Sequence, residues 1–261
     1  MQPDWDYVKK TTLWHYEDLL KKLNYVTAYP VIWRAYNHDM AQAAAYARRL
    51  FPDNNIADGE YPVLIIDTIG RLADAGISNW GDMLARAATR EGCSAFLGET
   101  SIKFEEFIDV LNYLLRRALP FQTASRQLFD HDNPQEMSCY EILKGHRLMS
   151  SFDILEQGHT MGGRRLLSET TGVAQDFVNV LAHRADIARL PFVRRKTLLP
   201  VCGAGYDTLA RIAAADLSQM ESGLDAYFRR TPGKSWENYR FVFDLNGMVA
   251  AARALPVIME G

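Results

Sequence analysis

The sequence predicts an all-α protein, built from tandem helix-hairpin-helix-like units behind an N-terminal aromatic helical cap. Three observations carry this expectation. Apolar residues recur at helical rather than alternating spacing along almost the whole chain, and Val63–Ile66 (VLII) is the one β-like run. Capping residues and Gly or Pro stops punctuate that spacing at short intervals. The chain also echoes itself: ETSIKFEEFIDVL at 99–111 is matched by ETTGVAQDFVNVL at 169–181, an offset of 70. Five positions are identical there, Glu99/Glu169, Thr100/Thr170, Phe107/Phe177, Val110/Val180 and Leu111/Leu181. Upstream, Asp82–Leu84 meets Asp153–Leu155 and Thr89 meets Thr160, the offset slipping by one as a turn allows. Self-similarity of this kind marks units that bury their apolar faces against one another, so one continuous body is expected.

In chain order, residues 1–60 form the cap. Helices are expected over roughly 5–25 and 30–50, the second opened by Pro30 and closed by Pro52. They are dense in rings, including Trp5, Tyr7, Trp14, Tyr16, Tyr25, Tyr29, Trp33, Tyr36 and Tyr46. The polar, turn-rich stretch 52–62 is the linker expected behind them. The first unit, 61–131, starts with a helix over 62–75 that Gly76 stops, and Ser78 and Thr89 are candidate N-caps for the next two. A longer helix over about 101–117 completes it. The second unit, 132–190, opens on Asn133-Pro134, with Ser150, Thr160 and Thr171 as candidate caps and Gly158 as a stop. Phe107 and Phe177 are expected to be buried at equivalent places. The third, partial unit, 191–261, contains GYDTLARIAAADL at 205–217, which echoes GISNWGDML at 76–84. Asp216 caps a helix ending near Phe228, TPGKS at 231–235 reads as a loop, and a last helix over 244–255 stops at Pro256.

The run 153–217 resembles a bacterial domain family of unknown function made of helix-hairpin-helix-like units. The matching positions are Leu155, Gly158, Thr160, Gly163, Arg164, Leu167, Thr171, Gly172, Asp186, Ile187, Arg189, Gly205, Asp207, Thr208, Leu209 and Ala213. The resemblance covers about 137–228, extends more weakly to 62–117, and leaves 1–60 out. It implies a fold and, loosely, nucleic-acid binding, because such units hold DNA by a glycine-rich hairpin whose backbone N–H groups face a phosphate. The hairpin most like that loop is Leu190-Pro191-Phe192-Val193-Arg194, where Phe192 and Arg194 stand in the places of glycines. A Cβ there holds the backbone away from an anion.

Composition narrows the function classes. Of 261 residues, 48% are hydrophobic and 23% charged, which excludes a disordered or collagen-like chain. The formal charge is −3, which excludes a surface that is basic all round. Locally, residues 51–110 carry four Lys/Arg against eleven Asp/Glu, a net of −7, and 151–230 carry ten against nine, a net of +1. Arg184, Arg189, Arg194, Arg195 and Lys196 form the densest basic cluster and are the candidate nucleic-acid contacts, although the near-neutral count favours a solvated face or pairing with Asp186, Asp176 and their neighbours. Core packing onto the first unit is the default reading of the rings at Trp14, Tyr25, Trp33 and Tyr36, and the runner-up makes them the candidate partner-binding residues.

No metal site, cofactor or catalytic residue is expected. His15, His38, His131, His146, His159 and His183 lack ligand spacing, and no GxSxG, HExxH, GxxxxGK[ST] or GxGxxG occurs. Cys202, beside Gly203-Ala204-Gly205, is read either as a nucleophile at a helix N-terminus or as a buried inert thiol. Cys93, Cys139 and Cys202 have no paired spacing, the N-terminus MQPDWDYVKK lacks a signal-peptide pattern, and no run is long enough to span a membrane, so a cytoplasmic protein with reduced thiols is expected. The function expected is a non-enzymatic interaction module, a scaffold or adaptor for a protein partner. The alternative is weak, sequence-nonspecific DNA or RNA binding through the degenerate hairpin.

Overall fold

A computed structural model describes residues 3–51, 59–191, 193–231 and 235–260. The protein is 72% helical, and among the described residues there are seventeen α-helices and no strands. Most of the expected 52–62 linker, Phe192 of the 190–194 hairpin and most of the 231–235 loop lie outside the described residues. Where one continuous body is expected, the chain divides into two compact units, Met1–Leu119 and Pro120–Gly261. The cap thus shares a unit with residues 61–119 of the first repeat, while residues 120–131 of that repeat fall in the other unit.

The cap helices are shorter than the spacing predicts. The first splits into α1 (Trp5–Thr12) and α2 (Tyr16–Asn24) at Leu13, which is left-handed at φ 70°. The Thr12 hydroxyl helps to end α1, donating to the Val8 carbonyl while accepting from the Trp14 N–H. The second splits into α3 (Pro30–Tyr36) and α4 (Met40–Leu50), because Asp39 caps α4 by accepting from the Gln42 N–H. The VLII run lies inside α5 (Tyr61–Asp74), where Ile65, Ile69 and Leu72 point into the core at helical spacing. Three short helices follow, α6 (Trp80–Arg86), α7 (Arg90–Gly98) and α8 (Phe104–Tyr113). A π turn over Leu114–Ala118 extends α8, and Pro120, with no N–H to offer, closes the unit. Its core runs through Leu19, Leu23, Ile32, Ile65, Phe107 and Leu111, all buried.

The second unit contains α9 (Pro134–Gly145), α10 (Ser151–Gly158), α11 (Met161–Thr171), α12 (Gln175–Ile187) and α13 (Arg195–Gly203). It continues with α14 (Leu209–Ala213), α15 (Leu217–Arg229), α16 (Trp236–Tyr239) and α17 (Leu245–Ala254). Phe129, Phe152, Leu155, Leu181 and Ala185 fill its centre. An extended tail after α17 is fastened by two buried arginines. Arg164 donates to the Gly158, His159 and Glu260 carbonyls and to Asn179 Oδ1, and Arg189 donates to the Pro256 carbonyl.

One turn occurs three times. After α5, α9 and α13 the chain passes through a left-handed residue, Gly76 at φ 80°, Arg147 at φ 62° and Gly205 at φ 98°. Each time the same two bonds close the helix: Ile77 N–H to the Leu72 carbonyl and Gly76 to Ala73, Leu148 to Leu143 and Arg147 to Lys144, Tyr206 to Val201 and Gly205 to Cys202. A cap then opens the next helix, with Asn79 accepting from Asp82 N–H, Ser150 from Asp153 and Thr208 from Arg211. The cap expected at Ser78 falls one residue later, at Asn79, while the Ser78 N–H donates to Asp82 Oδ2. Thr89 and Thr160 cap α7 and α11, each accepting from a glycine N–H three residues on. A Cβ at that glycine, Gly92 or Gly163, would crowd the carbonyl of Arg86 or Gln157.

The echo is less faithful in burial than in backbone. Phe107 is fully buried but Phe177 only partly, and Val110 is buried where Val180 is 44% exposed. Helix α8 lies against both α1 and α5, and Val110 is buried in that packing. Thr171 does not cap a helix. It ends α11 with its hydroxyl bonded to the Leu167 carbonyl, and left-handed Gly172 makes the stop.

Candidate interaction surfaces

The five basic candidates separate into two kinds. Arg189 is 1% exposed and donates through Nε and Nη2 to Asp186 Oδ1, at 2.9 and 2.5 Å. Arg184 forms a bidentate pair with Glu136, at 2.7 and 3.1 Å, and donates to the Leu128 carbonyl. Both guanidinium groups are committed within the fold, because a charge withdrawn from water needs an opposite charge and hydrogen bonds around it, so neither is a surface contact for nucleic acid. Sequence spacing does not reveal the Glu136 partner, which lies 48 residues away.

The other three stand at the start of α13. Arg194 is the N-cap residue, exposed, with its guanidinium over the Phe121 ring at 5.9 Å. Arg195 is partly buried, with Nη1 enclosed and lacking a hydrogen-bond partner among the described residues, and Lys196 is exposed. Three cations at a helix N-terminus without an acidic residue in the first turn oppose the helix dipole.

The aromatic candidates also divide. Tyr36 is 1% exposed and belongs to the core, because it sits on the inner face of α3 with Ile32. Trp33 is partly buried, its ring edge lying against the α6 start at Gly81. Trp14 and Tyr25 remain at the surface, 40% and 43% exposed, next to Leu13 at 70%. The Lys22 ammonium sits 3.9 Å over the Trp14 ring. Lys22 and Tyr25 are three residues apart on a continuous helical path, so they share a side, and the Tyr25 and Tyr29 hydroxyls meet at 2.8 Å.

Cysteine and histidine chemistry is quiet. Cys202 lies in the last turn of α13 rather than at a helix N-terminus, and burial pushes its thiol up to about 12. Burial likewise raises the Cys93 thiol. Among the described residues, no three His, Cys, Asp or Glu side chains gather in a set that could hold a metal ion, and no helix is long and apolar enough to cross a membrane. No family model matches the chain, and no curated protein or solved structure matches it either.

Proposed function

We propose that the protein is a non-enzymatic cytoplasmic interaction module that docks a protein partner on the Leu13–Trp14–Tyr25 surface. The observation that carries this reading is Leu13 itself. A non-glycine residue in the left-handed region costs roughly 1–2 kcal/mol, and here it holds a leucine 70% exposed beside a tryptophan. Strain and apolar exposure at one residue are two costs that a bound partner offsets by burying the pair. Lys22 on the Trp14 ring gives the patch a cationic rim suited to a partner with a carboxylate beside its apolar contact. The three recurrent left-handed turns support reading the repeats as helix-hairpin-helix-like, in keeping with the family resemblance, which makes the repeats a scaffold for this face.

A photo-crosslinking amino acid placed at Trp14, at Tyr25 and, as a control, at 88%-exposed Val257 tests the reading in cells. Discrete adducts from the first two that vanish with Leu13→Asp are expected. Equal labelling from all three positions would refute it.

The second reading is weak nucleic-acid binding at the α13 start, and it is favoured by the enclosed, unpaired Arg195 Nη1 among uncompensated cations. Duplex affinity no tighter than roughly 10⁻⁴–10⁻⁶ M at physiological salt is expected. Nanomolar binding that collapses with Arg194→Glu/Arg195→Glu would reverse the order of the two readings.

A further inference from the structure

A cavity of about 410 Å³ opens between α3 and α4, lined by Arg34, Ala35, Asn37, His38, Gln42, Ala45 and Arg49. Its floor is fixed. Residues 37–39 are tied to the start of α6 by two links: the Gly81 N–H donates to Asn37 Oδ1 at 2.8 Å, and an isolated antiparallel bridge pairs Asp39 with Asn79, its Trp80 N–H donating to the His38 carbonyl at 3.4 Å. The His38 ring packs at 4.9 Å from Tyr46. Small-molecule sites are concave, preformed and few, with a handful of convergent polar groups, and this cavity falls in their size range.

The lining has one sign of charge. Arg34 and Arg49 line the cavity with no carboxylate among its lining residues, neither has a carboxylate partner among the described residues, and the Arg49 guanidinium lies over the Tyr46 ring at 5.6 Å. Asp39, the nearest acid in sequence, is turned to the α4 cap. Burial, and then the Arg49 charge, lower the proton affinity of His38 against the opposing charge of Asp39, so the positive charge of the lining comes from Arg34 and Arg49. Elsewhere several of the chain's arginines do find carboxylates, as Arg71 does with Glu106, Arg86 with Asp82 and Arg90 with Glu17.

We propose that this cavity binds a small phosphate monoester, with the dianionic group taken by Arg34 and Arg49 and the remainder of the ligand seated against Asn37, Gln42 and the two alanines. Charge and shape select this class. A phosphate monoester carries close to two negative charges at pH 7 and accepts paired N–H donors from a guanidinium, whereas a simple carboxylate carries one charge. A bare anion would occupy only a small part of the cavity. A nucleic-acid backbone is tracked by a row of cations along a groove, and here there are two in a pocket, within a unit whose 51–110 stretch has a net charge of −7. The proposal is independent of the partner-docking face, since none of its residues lies on Leu13, Trp14 or Tyr25.

Calorimetric titration of the full chain with adenosine 5′-monophosphate, glucose 6-phosphate and glycerol 3-phosphate tests it, with adenosine, inorganic phosphate and a single-stranded oligonucleotide as controls. At least one ester is expected to bind one-to-one, with the uncharged nucleoside silent and inorganic phosphate weaker. Arg34→Ala and Arg49→Ala should each weaken the ester at least tenfold, and Gln42→Glu, which leaves both arginines in place, should abolish binding. All three positions are exposed, so the variants should keep the wild-type circular dichroism spectrum. The proposal falls if no ester binds at millimolar concentration, if the variants bind as the wild type does, if inorganic phosphate binds as tightly as the ester, or if the oligonucleotide is preferred.

Discussion

Removing the Arg189 guanidinium while keeping its bulk, as Arg189→Met does, should destabilise the second unit strongly. In the folded chain this group has no contact with water to fall back on: its side chain is 0% exposed and that of Asp186 is 6% exposed. The substitution strands the Asp186 carboxylate in the interior without its cation, and it removes the donor to the Pro256 carbonyl. Breaking a buried pair from one side costs about 3–5 kcal/mol, a third or more of the stability of many domains. At about 2–4 °C per kcal/mol for a unit approaching 150 residues, the melting temperature should fall by roughly 6–20 °C. Scanning calorimetry reads this directly. Asp186→Leu/Arg189→Met, which removes both charges, should recover most of the loss, because the cost of one variant is the charge left behind by the other. An Arg189→Met protein melting within about 2 °C of wild type, or a double variant worse than the two singles combined, would refute the reasoning and return Arg189 to the candidate nucleic-acid contacts.

Three further outcomes follow from the same geometry. Arg147→Gly should stabilise the protein by about 1 kcal/mol in urea melts, since the equivalent turns carry Gly76 and Gly205 and glycine is at ease where φ is positive. Asp109 is held above the usual carboxylate range chiefly by burial, opposed by its hydrogen bond from Tyr7 and reinforced by Glu105 and Glu106. The folded chain therefore keeps this proton more tightly than the unfolded chain, and stability falls as pH rises through the raised value. Asp109→Asn should accordingly be more stable than wild type at pH 7, with an advantage that disappears by about pH 3, where the acid is protonated in both states. The thiols of Cys93 and Cys202, both raised by burial, should resist an aromatic disulfide reagent at pH 8 in the native protein and react promptly in denaturant.

Local chemistry was the legible part of this chain. Asn133, Ser150, Thr160 and Asp216 cap the helices assigned to them, because a cap is decided within four residues. The left-handed turns at Gly76 and Gly205 could be read for the same reason, while the one at Arg147 could not, since nothing about arginine announces a positive φ. Leu13 was hidden in the same way, and with it the break between α1 and α2. Side-chain commitments were the least legible. Asp186 sits three residues from Arg189 and was visible as a neighbour, but the Arg184 partner Glu136 belongs to α9, and only the fold brings them together. The α3–α4 cavity had no signal at all in sequence: Arg34, His38 and Arg49 line it together because a three-residue break, 37–39, separates the two helices and turns the chain.

The fastening of the tail has a consequence for which changes the protein tolerates. Arg164 and Arg189 grip it by the main-chain oxygens of Glu260 and Pro256, and the Glu260 N–H returns a bond to the His159 carbonyl. Main-chain oxygens are the same whatever side chain sits beside them, and Val257, between the two grips, points almost wholly into solvent. Between 256 and 260 only Ile258, 9% exposed, and the Glu260 carboxylate on the Met161 N–H add side-chain preferences. Saturation mutagenesis should therefore find Val257 accepting almost any residue except those that bend the chain. Deleting a single residue there moves the Glu260 oxygen out of register with Arg164 while Arg189 still holds that of Pro256.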